Sequence, residues 1–280
     1  MKVRVITGVL GGLFAISALI LFRYPLMGIV ATLFTGMAVY EVERMAKITN
    51  IPLIALSLAV SLFIPPALEY GLLEKMTAYV PLSVLLTAYV IAALLLTLAF
   101  FQTTRFEHVC VALFSSLAIP YAMACLLLIK NAYRAEYSKA FFVLFTGLAS
   151  SWITDAGAYF IGVKFGRHKM SPNISPKKTV EGAAGGILIS ALFNLVTFLI
   201  FDHFFFKGGW IPFWLVLLIS VLLSLAGMAG DLSASVIKRN YGEKDFGAFF
   251  PGHGGVMDRF DSTLFVLPCL YALVRLAGKT

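Results

Sequence analysis

The sequence predicts an all-α polytopic membrane protein of about nine transmembrane helices, with its chemistry in cytoplasmic loops of the second half. Three observations lead there. Of 280 residues, 60% are apolar and only 13% charged. Soluble domains carry about 25% charged residues because water must solvate their surface, so a chain this apolar turns much of its exterior to lipid. The apolar residues also gather in runs mostly about 16 to 24 residues long, which as helix cross a hydrocarbon core. Finally, two loops, 164–179 and 230–261, hold most of the Lys, Gly, Asp and His of the second half.

Nine runs read as spans: 5–22, 25–40, 52–68, 79–101, 109–129, 140–163, 180–201, 211–229 and 262–277. Helices are required because backbone groups find no water partner in oil. The first run follows Lys2 and Arg4 as a signal peptide would. Its length, and Arg23-Tyr24-Pro25 in place of a small-residue cleavage site, favour retention as a membrane helix. With the N-terminus inside, 14 Lys and Arg fall on the inner side and 8 on the outer, which favours N-in, C-out and a site facing the cytoplasm of an inner membrane. Residues 1–138 then form a transmembrane scaffold and 139–280 a transmembrane catalytic region.

The formal charge of +8 does not point to nucleic acid. The basic residues lie between apolar runs and never form a long stripe, as expected of a positive-inside membrane protein. Cys110, Cys125 and Cys269 fall inside apolar runs without metal-ligand spacing and read as small buried hydrophobes. Glu41 and Glu43, followed by Arg44 and Lys47, read as interfacial.

The densest polar segment begins at Gly230-Asp231 and ends at Asp258-Arg259-Phe260-Asp261. Asp231 ends or extends an apolar helix, where an isolated carboxylate is expensive. Asp258 and Asp261, three apart, share a face if helical. Carboxylates flanked by Lys238, Arg239, Lys244 and Arg259 suit magnesium bridging phosphate oxygens, with the cations neutralising the remaining charge. Pro251-Gly-His253-Gly254-Gly255 is a glycine-rich turn whose backbone amides can approach an anion. A plain flexible connection reads the glycines equally well until Asp258 and Asp261 are added. His253 reads as a phosphate-contacting or hydrogen-bonding residue more readily than as an acid or base.

The other loop carries Ser175-Pro-Lys177-Lys178-Thr179, with Glu181-Gly182 entering a span. Two lysines offer point charges to phosphate and Thr179 can cap the following helix; a lysine-rich loop of the positive-inside kind explains the lysines alone. Gly182 and Gly186, four apart, allow close helix packing. Asp155, one turn before Tyr159 and inside a span, is a functional candidate, with a structural hydrogen bond as the plainer alternative.

The run from Ser235 through Lys238-Arg239, Lys244-Asp245, Gly247, Phe250-Pro251, His253-Gly254-Gly255 to Asp258-Arg259-Phe260-Asp261 closely resembles the signature of the phosphatidate cytidylyltransferases, or CDP-diacylglycerol synthases. Ser175–Thr179 with Glu181-Gly182, and Asp155 with Tyr159, look like further blocks of that family. Ala234 stands where larger residues are frequent. The resemblance covers residues 150–262. It implies a homodimeric enzyme of phospholipid biosynthesis that joins CTP and phosphatidate to give CDP-diacylglycerol and pyrophosphate. It implies magnesium held by Asp231 and Asp258 with Asp261 in support, and leaves open a second cation. Lys238, Arg239 and Arg259 would face phosphates, Asp231, Asp258, Lys238 and Arg259 carrying the catalysis. Ser175, Lys177, Lys178, Thr179, Glu181, Ser235, Lys244, His253, Gly254, Gly255, Asp155 and Tyr159 would help hold the substrates. Two other readings predict different features. A secondary transporter coupled through Asp155 and Asp231 would carry inverted repeats, and the sequence has no such symmetry. A related CTP-using membrane enzyme, such as a polyprenol kinase or an archaeal-lipid cytidylyltransferase, would differ in its product.

Overall fold

The computed structural model describes residues 26–250 and 254–278. The predicted first span and His253 lie outside the described residues. Among the rest, ten helices follow in order: α1 (Leu26–Met45), α2 (Ile51–Glu69), α3 (Leu72–Thr77), α4 (Leu82–Ala99), α5 (Phe106–Ala132), α6 (Tyr137–Phe165), α7 (Val180–Phe201), α8 (Phe213–Asn240), α9 (Met257–Phe260) and α10 (Thr263–Leu276). A two-stranded antiparallel sheet, β1 (Lys169–Ser171) and β2 (Ser175–Thr179), stands between α6 and α7.

Each of the other eight predicted spans meets a helix, and six of these are long and apolar enough to cross a membrane: α2, α4, α5, α6, α7 with its π-helical extension to Phe206, and α8. α10 is apolar but shorter. Their outward faces carry Leu94, Leu95, Leu98, Leu192, Val196 and Leu199, all exposed. A fully solvated protein does not present such surfaces, and the chain is membrane-embedded. The cysteines divide: Cys125 is buried, whereas Cys110 and Cys269 are exposed on α5 and α10.

The polypeptide separates into two compact units, one running up to Asn131 and including Asp245–Arg259, the other comprising Ala132–Lys244 and the chain from Phe260 onward. In the first unit α1 packs on α2. Asn50 caps α2 by accepting from the Leu53 amide at 3.1 Å, and its own amide donates to Thr104 at 2.9 Å. Glu69 is held by Lys130 at 2.8 Å. Glu41 and Glu43 are both buried within the protein. Glu43 has no exposed surface, Ser115 donating to it at 3.5 Å, and Glu41 is 8% exposed.

In the second unit α6, α7, α8 and α10 pack together. Gly182 and Gly186 do allow the close approach their spacing predicts. A Cβ on Gly182 would stand 2.6 Å from the Ala158 carbonyl, and one on Gly157 3.1 Å from the Gly186 Cα. Small residues bring membrane helices within backbone contact where lipid supplies no hydrophobic drive. A polar seam joins the same helices: the Asn194 amide donates to Ser150 at 2.7 Å and Ser220 at 3.0 Å, and Thr154 donates to Ser224 at 2.8 Å.

Candidate active site

The hairpin begins the site. β1 and β2 pair with Lys169 opposite Thr179 and Ser171 opposite Ser175, closing a turn that holds Pro172 and Asn173. Thr179 ends β2 and caps α7 as predicted, its hydroxyl accepting from the Gly182 amide at 3.1 Å. Glu181, in the first turn of α7, accepts from the backbone amides of Arg167 at 3.0 Å and His168 at 3.2 Å and meets the His168 ring at 2.5 Å. That carboxylate therefore fixes the approach to the hairpin. Successive residues of a strand face opposite sides. Lys177 accordingly is exposed, while Lys178 turns inward to an ion pair with Asp231.

Asp231 extends the apolar helix α8, as its place after an apolar run predicts. The predicted loop 230–261 begins as helix, α8 continuing to Asn240 with Gly242 at φ 73° beyond the cap. Asp231 and Lys238, seven apart, thus share one face of α8. Lys238 is buried, and its ammonium stands 3.8 Å from the Asp261 carboxylate. Gly230 makes this approach possible, since a Cβ there would meet the Asp261 carbonyl at 2.8 Å. Asp261 falls one residue beyond α9, in the turn to α10. Its carboxylate accepts from the Ser262 amide at 2.7 Å, and the Ser262 hydroxyl donates to Asp155 at 3.3 Å. Burial first, then the negative charge of Asp231, push the Asp261 carboxyl up to about 6, with Lys238 opposing. Desolvation and like charge both penalise the ionised form.

The second unit therefore gathers Asp155, Asp231 and Asp261 with Lys178 and Lys238. Around them Ser235 is half-buried on α8, and Arg239 is exposed and donates to the Glu243 carbonyl at 2.9 Å. Lys244 is exposed, as is Tyr159, which packs edge-on against Phe160. Ser175 begins β2. A separate cavity of about 240 Å³ lies among Phe142, Asn194, Trp210, Ser220 and Leu223, and no charged side chain lines it.

In the first unit, the segment Asp245–Arg259 is organised by carboxylates. Asp258 Oδ2 accepts from the amides of Phe246 at 2.8 Å and Gly255 at 2.9 Å. Gly254 takes φ 81°, a conformation that favours glycine. Arg259 is exposed on α9. Of the glycine-rich turn, the Gly255 amide meets an anion of the chain's own, Asp258, and the next two amides, Val256 and Met257, meet Glu41. Sequence reasoning missed Glu41, Gly230 and Ser262. Gly230, beside Asp231, and Ser262, beside Asp261, had a local signal; Glu41 had none. Among the described residues, no three His, Cys, Asp or Glu side chains stand together as a ready metal cage.

The fold and these clusters define a polytopic helical membrane protein whose polar centre interleaves carboxylates with lysines. The family model described as "Cytidylyltransferase family" matches residues 2–277. Phosphatidate cytidylyltransferase of Bacillus subtilis (strain 168) is 35% identical over 282 positions, covering 99% of this chain and 98% of that protein. The Staphylococcus haemolyticus protein of the same name is 32% identical over 98% of this chain and 99% of its own length. A third, from Staphylococcus saprophyticus, is 44% identical over 51% of this chain and 52% of its own. The chain belongs to the cytidylyltransferase family.

Proposed function

We propose that this chain is a phosphatidate cytidylyltransferase, joining CTP and phosphatidate to give CDP-diacylglycerol and pyrophosphate. What carries the reading is the cluster of Asp155, Asp231 and Asp261 with Lys178 and Lys238, in a chain alike over its whole length to proteins of that name. Both reactants are anions, and they meet only where positive charge offsets their repulsion. A phosphatidate oxygen attacks the α-phosphorus of CTP in line; the bond from that phosphorus to the bridging oxygen breaks, and pyrophosphate leaves with its electron pair. The attacking oxygen is already deprotonated near neutral pH, so the step needs no general base, and His253 has no such task. Positioning and charge stabilisation do the catalysis, as in other phosphoryl transfers.

Lys178 and Lys238 hold phosphate oxygens, and their present carboxylate partners keep them pointed inward until substrate arrives. Lys177, Arg239 and Lys244 of the second unit, all exposed, would face a triphosphate arriving from water. Asp231 and Asp261 are hard-oxygen donors of the kind magnesium takes, and magnesium commonly uses one or two carboxylates with substrate phosphates, so a preformed cage is not required. Such an ion, held by Asp231 and Asp261, would supply charge neutralisation at the α-phosphate of the transferred cytidylyl group. Asp258 and Arg259, which stand at the end of the signature the sequence shares with the family, serve the same reaction in this reading. The enzyme works as a homodimer in the inner membrane, its polar loops facing the cytoplasm.

Detergent-purified protein given labelled CTP, phosphatidate and magnesium should form labelled CDP-diacylglycerol and release pyrophosphate in equal amounts. No product across several acyl chains and divalent metals would overturn the reading. Transfer of the terminal phosphoryl group instead of the cytidylyl group would place the chain with the lipid kinases.

A further inference from the structure

Glu41 lies near the end of α1, in the half of the chain that the sequence reads as scaffold. Its two oxygens each accept one backbone amide from a segment more than two hundred residues away, Oε1 from Val256 at 3.0 Å and Oε2 from Met257 at 2.9 Å. Glu41 is 8% exposed, so water competes little for these bonds. Charge-assisted bonds of this kind are stronger than neutral ones.

The segment is shaped to admit this carboxylate. A Cβ on Gly247 would stand 2.5 Å from Oε1 and 2.7 Å from Cδ of Glu41, and one on Gly255 would stand 2.5 Å from Cδ. Neither glycine has a positive φ, so close approach, not backbone freedom, is what asks for glycine at both positions. The amide of Gly255 and that of Phe246 turn to Asp258. Two carboxylates thus divide four amides of one segment, Glu41 taking the pair at the start of α9 and Asp258 the pair that closes the turn.

We infer that Glu41 is a positioning residue for the cytidylyl transfer, holding the Gly254–Asp258 turn so that Asp258 and Arg259 present a single arrangement to substrate. The inference rests on the proposed function in one respect: Asp258 and Arg259 must serve that reaction. Glu41 itself touches neither substrate nor metal. Its removal leaves two adjacent amides unpaired and the turn free to relax, and misplacement by about 1 Å can cost about 100-fold in rate.

The test uses the full chain in detergent, with Glu41→Gln, Glu41→Asp and Glu41→Ala beside Asp258→Asn. Glutamine sets an NH2 against one of the two amides, so Glu41→Gln should lower kcat about tenfold or more with the KM for CTP within about threefold. Glu41→Asp, an acceptor on a shorter arm, should recover part of the loss seen in Glu41→Ala. Glu41→Gln combined with Asp258→Asn should be no slower than Asp258→Asn alone, because the two act through one turn. Unchanged kcat in Glu41→Ala, or a fully additive double variant, would overturn the inference. A second readout is independent of turnover. Hydrogen exchange at Val256 and Met257 should quicken in Glu41→Ala while α7 and α8 keep their protection. An inactive but folded wild type defeats the functional reading, and unchanged exchange defeats the role of Glu41.

Discussion

The two polar regions handle carboxylates in opposite ways. In the second unit, Asp231 and Asp261 are paired with the ammonium groups of Lys178 and Lys238. In the first, Glu41 and Asp258 are tied to backbone amides. An ammonium on a four-carbon stem can swing to a phosphate and leave its carboxylate to another cation. A backbone amide cannot leave without unmaking the turn that carries it. The first arrangement is exchangeable charge, suited to handling substrate; the second is architecture that fixes where charge stands.

That contrast can be broken by substitution. Asp231→Ala should have the largest effect, lowering kcat by about 1000-fold or more while the folded protein elutes unchanged, since in the proposed reading Asp231 holds the cations that offset the phosphate charge. Activity within tenfold of wild type would place the centre elsewhere. Lys178→Met should follow, at about 100-fold, with a higher KM for CTP. Gly255→Ala belongs to the other region and should act on folding: its Cβ collides with Glu41, and overpacking of this sort costs about 1–3 kcal/mol, read as a lower melting temperature. Smallest is Lys177→Ala, about threefold or less in kcat/KM, because an exposed lysine offers a screened charge. If Lys177→Ala and Lys178→Met were equally damaging, the inward and outward faces of β2 would not carry the distinction drawn here.

Much of this was readable in the chain. Apolar runs located the helices because nothing else explains them, and the run 180–201 coincides with α7 at both ends. The Thr179 cap and the Gly182–Gly186 contact follow from local rules. The end of α8 was misread because hydropathy reports the solvent around a helix, not the helix itself. Beyond Gly230 the residues turn polar while Asp231, Ser235 and Lys238 keep helical spacing. The hairpin was too short to show alternation. Glu41 was illegible for another reason, as its partners are backbone amides more than two hundred residues away, and amides leave no trace in side-chain patterns.

The seam of Ser150, Thr154, Asn194, Ser220 and Ser224 carries a consequence for biogenesis. Each such bond is worth only about 0.6 kcal/mol on average in a membrane bundle. A helix inserted alone satisfies the hydroxyls of Ser150, Thr154 and Ser220 through its own carbonyls, but the Asn194 amide stays in hydrocarbon until its neighbours arrive. α6, α7 and α8 are therefore expected to leave the translocon as a group and to resist separation thereafter. A chain truncated between α7 and α8 should be recognised by membrane quality control rather than persist as a stable fragment.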